Sequence, residues 1–165
     1  MTGLPERVER AFADHEAYEP ADGATFAVTT TPFDAVVAVQ AGESVVAAVS
    51  VWVPKLSAAV TPDEHVADVV EDGWLETFER RMEDADQPLS AGRDVDPAVR
   101  VEGDEVVVEA TVEAGAPGTA AADARALVEY VEGTYMEGVV PGYDYADPVA
   151  GLRERALDAG GTDGA

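Results

Sequence analysis

The sequence predicts an α+β domain with an antiparallel sheet of about five strands, in the order α-βββ-α-ββ-α-α, and helices packed mainly on one face. Two hairpin-like regions, 33–54 and 98–115, carry apolar residues at a spacing of two, the period of a strand. Other regions carry them at spacings of three and four, the period of a helix. Strands come in groups instead of alternating with helices, which argues against a doubly wound nucleotide-binding fold. No G-x-G-x-x-G or Walker A sequence is present.

In "LPERVERAFADH", Leu4, Val8, Phe12 and the Ala11/His15 pair share one helical face, and Pro5 suits a first turn. "YEPADGA" breaks this helix. "TFAVTTT" alternates Phe26, Val28 and Thr30, and Pro32 marks a bend or an edge. "FDAVVAVQAGESVVAAVSVWVP" reads as a hairpin around Gly42-Glu43. In its second arm Val45, Ala47, Val49, Val51 and Val53 share one face, and Val46, Ala48 and Trp52 the other. An arm apolar on both faces is expected to be a central strand or to have a partner on its second side.

"TPDEHVADVVEDGWLETFERRMEDA" predicts the longest amphipathic helix, with Thr61 as N-cap, Pro62 at N1 and Glu64 at N3 of a capping box. Val66, Val70, Trp74, Phe78 and Met82 form its buried stripe with Val69 alongside, and a close packing contact is expected at Gly73. "DQPLSAGRDVDP" is a polar connection. The hairpin 98–115 turns at Gly103-Asp104, with Val106, Val108, Ala110 and Val112 inward and Glu105, Glu109, Thr111 and Glu113 outward. "GTAAADARALVEYVEGTYMEG" predicts a helix capped by Thr119 and ended by Gly138, burying Ala124, Leu127, Val128, Val131 and Tyr135. Asp147 and Pro148 predict the N-cap and N1 of a last helix. The domain is expected to span 1–158, followed by a disordered tail over 159–165.

Element order α-βββ-α-ββ-α over residues 4–137 resembles the type III secretion chaperone-like fold, whose members often dimerise and bind protein segments. With "PGYDYADP" as its local token, the chain is similar to an uncharacterised family of small acidic proteins of halophilic archaea. That family lends no activity.

Charge narrows the setting. Acidic residues number 34 against nine arginines and one lysine, for a formal net charge of -24. In about 1 M salt the Debye length falls to about 3 Å, so such self-repulsion is screened. This composition points to a protein of a salt-rich cytoplasm. The arginine pairs Arg7/Arg10, Arg80/Arg81 and Arg153/Arg155 each lie among acids, which fits helix-surface ion pairs and not a nucleic-acid interface. The absence of cysteine removes thiol chemistry and disulfides. The N-terminal residues lack the apolar core of a secretory signal. No apolar run reaches the roughly 18 residues of a membrane span, so neither membrane nor nucleic acid is expected as partner.

Few residues carry recognisable chemistry. His65 and Asp68, placed on one face of the long helix, supply two ligands where zinc takes three or four, so no metal site and no cofactor are expected. The serines lack a nucleophile motif, and Lys55, the sole lysine, is read as the end of a strand. Trp74 shares the core stripe, whereas Trp52 lies opposite it and is a candidate partner contact. In "GVVPGYDYADP", Tyr143, Asp144 and Tyr145 form the other candidate site: two tyrosines on one side of an extended segment, with the carboxylate on the other. Gly138, Pro141-Gly142 and Asp147 read there as helix end, type II turn and helix cap. The favoured expectation is a non-enzymatic protein-interaction module, chaperone-like or regulatory, that binds a protein partner or a second copy of itself. The alternative is a small-molecule- or metal-dependent enzyme with its site near Tyr143, Asp144 and Tyr145.

Overall fold

The computed structural model describes residues 3–90 and 95–163, the last seven of these as backbone alone. The elements are α1 (Glu6–Ala13), β1 (Tyr18–Pro20), β2 (Thr25–Val28), β3 (Asp34–Ala41), β4 (Val45–Pro54), α2 (Leu56–Ala59), α3 (Asp68–Met82), β5 (Ala98–Glu102), β6 (Glu105–Ala114), α4 (Pro117–Glu137) and α5 (Val149–Asp163). The strands form one six-stranded sheet in the order β1-β2-β3-β4-β6-β5, every neighbour antiparallel.

Hairpins build the sheet where the sequence places them. Gly103, at φ +58°, supplies the positive φ that a two-residue turn between β5 and β6 requires. β4 pairs with β3 from Val45 to Trp52 on one side and with β6 along its whole length on the other, so the arm that is apolar on both faces is indeed central. Val37, Val49 and Ala110 lie in one cross-strand row and all are buried. Full burial of a valine stabilises by about 1.5–3 kcal/mol, and this face is nearly continuous valine and alanine.

Helix α4 lies across that face, against β4 and β6, and α1 and α3 pack beside it. Its stripe of Ala124, Leu127, Val128, Val131 and Tyr135 is buried as the spacing predicts. Tyr135 gathers the second layer: its ring meets Phe33 at 5.1 Å, Trp74 at 5.6 Å and Phe78 at 6.4 Å, edge-on in each case. Its hydroxyl donates to the carbonyl oxygen of Pro54 at 2.9 Å. At the other end of α4, the Tyr18 hydroxyl donates to the carbonyl oxygen of Ala121 at 2.6 Å. Burial pushes both phenols above the ordinary tyrosine value.

Several local expectations are corrected. "YEP" is not only a break but the edge strand β1, three residues long, with Tyr18 opposite Val28. The long helix starts at Asp68 and not after Thr61: Thr61 donates its N–H to the carbonyl oxygen of Asp144, and Ala67 is extended at the N-cap. A tertiary pairing therefore takes the residue that a local capping box would use. Val66 still reaches the core from outside the helix, while Val69 points to solvent, 77 % exposed. A Cβ built on Gly73 meets nothing within 4 Å, so no close packing explains that glycine. Helix α4 begins at Pro117 with Ala116 as N-cap, leaving Thr119 inside the first turn. Helix α5 runs from Val149 to Asp163. Residues 91–94 of the polar connection lie outside the described residues.

Candidate functional site

The six-stranded sheet has a second face. On it β3 places Val36 and Ala38, β4 places Val46, Ala48, Ser50 and Trp52, and β6 places Val107 and Thr111, alternating with the core residues of the same strands. Cross-strand register aligns Ala38 with Ala48 and Thr111 at the centre, and Val36 with Ser50 and Glu109 beside them. Ala38, Ala48 and Thr111 are exposed, while Val36, Val46 and Trp52 are half-buried. Among the described residues the helices pack against the other face. Val107 is the one fully buried residue here, flanked by its cross-strand neighbours Trp52 and Arg100.

Charge on this face lies along β6 and β5 and at the start of β3. The Arg100 guanidinium holds Glu102 at 2.6 Å and also pairs with Glu109. Glu113 accepts a hydrogen bond from the Ser44 hydroxyl at 3.0 Å. Asp34 stands opposite Trp52. On β3 and β4, Val36, Ala38, Val46, Ala48 and Ser50 form an uncharged strip, in a chain with a net charge of -24. Trp52, singled out in the sequence, belongs to this surface. Ala48 shares Trp52's face in the sequence pattern, but an exposed alanine such as Ala38 or Ala48 carries no signal of a site until its neighbours across the sheet are known.

The Tyr143-Asp144-Tyr145 segment sits elsewhere, against the β4–α2–α3 connection. Tyr145 forms an antiparallel bridge with Val60, Ala146 donates to the carbonyl oxygen of Ala59 at 2.8 Å, and Thr61 donates to that of Asp144 at 2.9 Å. The Tyr145 hydroxyl donates to the carbonyl oxygen of Val140 at 2.6 Å, its ring lies edge-on to Tyr143 at 6.5 Å, and the Arg153 guanidinium lies 5.0 Å above it. Burial raises the Tyr145 phenol, partly offset by the Val140 hydrogen bond and the Arg153 charge. Asp144 is exposed and points away, and its N–H donates to Glu64 Oε1 at 3.3 Å. Gly142, at φ +99°, takes the glycine position of a type II turn, and Asp147 Oδ1 accepts from the N–H of Gly151 at 3.2 Å in the first turn of α5. The tyrosines and their backbone are thus engaged in pinning one connection to another.

His65 and Asp68 are both exposed, His65 in the extended segment before α3 and Asp68 at its first position, so they do not share a helical face. Among the described residues, no three His, Asp or Glu side chains group closely enough to hold a metal ion. Lys55 lies 3.4 Å from Glu71. Glu71 also accepts from the N–H of Ser57 at 2.6 Å, at the start of α2. Burial works against the Glu71 carboxylate, but the Ser57 hydrogen bonds and Lys55 together hold its pKa below the ordinary glutamate value.

No helix among the described residues is long and apolar enough to cross a membrane. No curated protein and no solved structure matches the chain. Residues 13–155 match the Family of unknown function (DUF5813), and the chain belongs to that family.

Proposed function

We propose that this protein is a non-catalytic interaction module that docks a protein surface on the open face of its sheet, and that the surface it docks first is the same face of a second copy. The observation that carries this reading is the uncharged strip of Val36, Ala38, Val46, Ala48 and Ser50 on the central strands β3 and β4. A sheet whose outer face is meant for water carries polar residues there, as β6 does with Glu109, Thr111 and Glu113. β3 and β4 instead carry alanine, valine and serine, with a half-buried tryptophan at one end.

Size supports the reading. At about 3.4 Å per residue and about 4.8 Å per strand, β2 to β6 offer a planar area on the order of 600 Å² before side-chain relief is added. Stable dimers bury about 800 Å² per partner. Small residues let two sheets approach to about 10 Å, the spacing of a β-sandwich. An isologous contact needs a patch that tolerates itself, and the uncharged strip on β3 and β4 meets that need. The composition, with one lysine among 34 acids, supports work in molar salt, where repulsion between two copies is screened.

Sedimentation equilibrium in molar KCl tests this. The expected result is a dimer for the wild type and a folded monomer for Ala48→Arg, which sets a charge in the middle of the face. A wild type that remains monomeric at concentrations well above micromolar defeats the reading.

A further inference from the structure

A cavity of about 230 Å³ opens between α3 and the C-terminal end of α4, in the helix layer and away from the open sheet face. We propose that it is a binding site for a small aromatic monocarboxylate. Val70, Trp74, Phe78 and Val140 give it apolar walls. Trp74 and Phe78 stack nearly parallel there, with ring centroids 5.9 Å apart. An apolar cavity of about 150 Å³ holds benzene, so this one holds a benzene ring with a polar substituent.

Two glycines keep the space open. Gly73 lies in the interior of α3, where glycine destabilises a helix relative to alanine. No neighbour demands it, since a Cβ there meets nothing within 4 Å and projects into free space beside the cavity. Gly138, across from it, has an ordinary right-handed backbone at φ -87°, so conformation does not demand glycine there either. A Cβ on Gly138 would come within 3.6 Å of Trp74 Nε1.

That indole nitrogen is the second independent sign. Trp74 is 6 % exposed, and among the described residues no hydrogen bond runs from its N–H to a protein acceptor. The nitrogen itself is open to solvent, since no buried side-chain nitrogen or oxygen there lacks a partner, and what it opens to is the cavity. Here the donor lines the cavity, beside the glycine that leaves it uncovered. Arg81 is the one cation among the lining residues, and its ion pair among the described residues is an exposed 3.4 Å contact with Glu137. An acceptor with negative charge, attached to a flat apolar body, satisfies walls, donor and cation together.

The test is ¹⁵N–¹H NMR of the full chain in molar KCl, titrated with phenylacetate and separately with benzyl alcohol. The two indole N–H signals are told apart with Trp52→Phe. Phenylacetate is expected to move the Trp74 signal saturably and leave that of Trp52 in place. Arg81→Gln should weaken phenylacetate about tenfold, the loss of one charge-assisted contact, and leave benzyl alcohol unchanged. Gly73→Leu should fill the cavity and abolish the shift. Should that variant fail to fold, Gly73→Ala, which retains the helix, should still weaken binding. The proposal is overturned if phenylacetate moves neither indole up to its solubility limit, if benzyl alcohol binds as tightly as phenylacetate, or if the shift survives in folded Gly73→Leu.

Discussion

Tyr145 closes its own loop: its hydroxyl donates to the carbonyl oxygen of Val140, 2.6 Å away and five residues earlier, while its backbone bridges Val60. The chemically rich "PGYDY" segment is thereby explained as a clasp between the α4–α5 connection and the residues that precede α3. Tyr145→Phe should cost about 1 kcal/mol, the net worth of one hydrogen bond. Tyr145→Ala should cost about 3–5 kcal/mol, because the ring is buried. Asp144→Asn, on the exposed side, should change stability by less than about 0.5 kcal/mol. Denaturant unfolding in molar KCl checks all three, and a large effect of Asp144→Asn would reopen the segment as a site.

The Gly73→Ala variant should be more stable than the wild type by about 1 kcal/mol. The helix interior favours alanine by that amount, and the new methyl meets no atom within 4 Å. Thermal melting measures it. A lower melting temperature would mean that α3 and α4 approach more closely at this point than the cavity implies.

Asp123 is a carboxylate buried to 4 % exposure on α4, and its Oδ1 accepts from both the N–H and the hydroxyl of Ser90, at 3.0 and 2.9 Å. Asp123→Ala strands a part-buried backbone donor and should cost about 2 kcal/mol or more. Chemical unfolding reads that loss, and Ser90→Ala, which keeps the backbone donor, should cost less.

Glu71 gives a pH dependence with a defined sign. Its folded-state pKa lies below the ordinary value, so its contribution is full above the unfolded pKa of about 4.3 and is lost as pH falls through the folded pKa. The stability difference between wild type and Glu71→Gln should therefore be largest near neutral pH and shrink as the solution is acidified below that value. A difference that is constant from neutral to acid pH would show that Glu71 acts without its charge.

These residues also show what the sequence made legible. β3, β4 and β6 could be read directly, because one-face burial writes itself as alternation in Val45 to Val53 and Val106 to Val112. β1 could not, because Tyr18-Glu19-Pro20 is a strand only by virtue of β2 beside it. Thr61 carries a local capping signal that loses to a pairing with a residue more than eighty positions away. His65 and Asp68 inherited their shared face from that misplaced helix start. Of the candidate site, Trp52 was visible, but the uncharged strip around Ala48 required the cross-strand register. The cavity left only Gly73 as a trace, and its neighbours on α4 lie some sixty positions away.

Salt should govern stability as a whole. A net charge of -24 repels itself strongly at about 0.1 M KCl, where the Debye length is about 10 Å, and much less at about 2 M. The melting temperature should rise steeply between the two. Equal values would contradict the inference that this chain is adapted to molar salt.

The open sheet face is the central claim, and the absence of cysteine makes it directly measurable. Ala48→Cys introduces a single thiol at the centre of the face, and Val69→Cys places one on the solvent side of α3. Both are treated in molar KCl with a bismaleimide that spans about 10 Å, the distance between packed sheets. The account predicts efficient capture of Ala48→Cys as a covalent dimer of twice 17.2 kDa, and little capture of Val69→Cys. Equal capture at both positions, or none at Ala48→Cys, would contradict it.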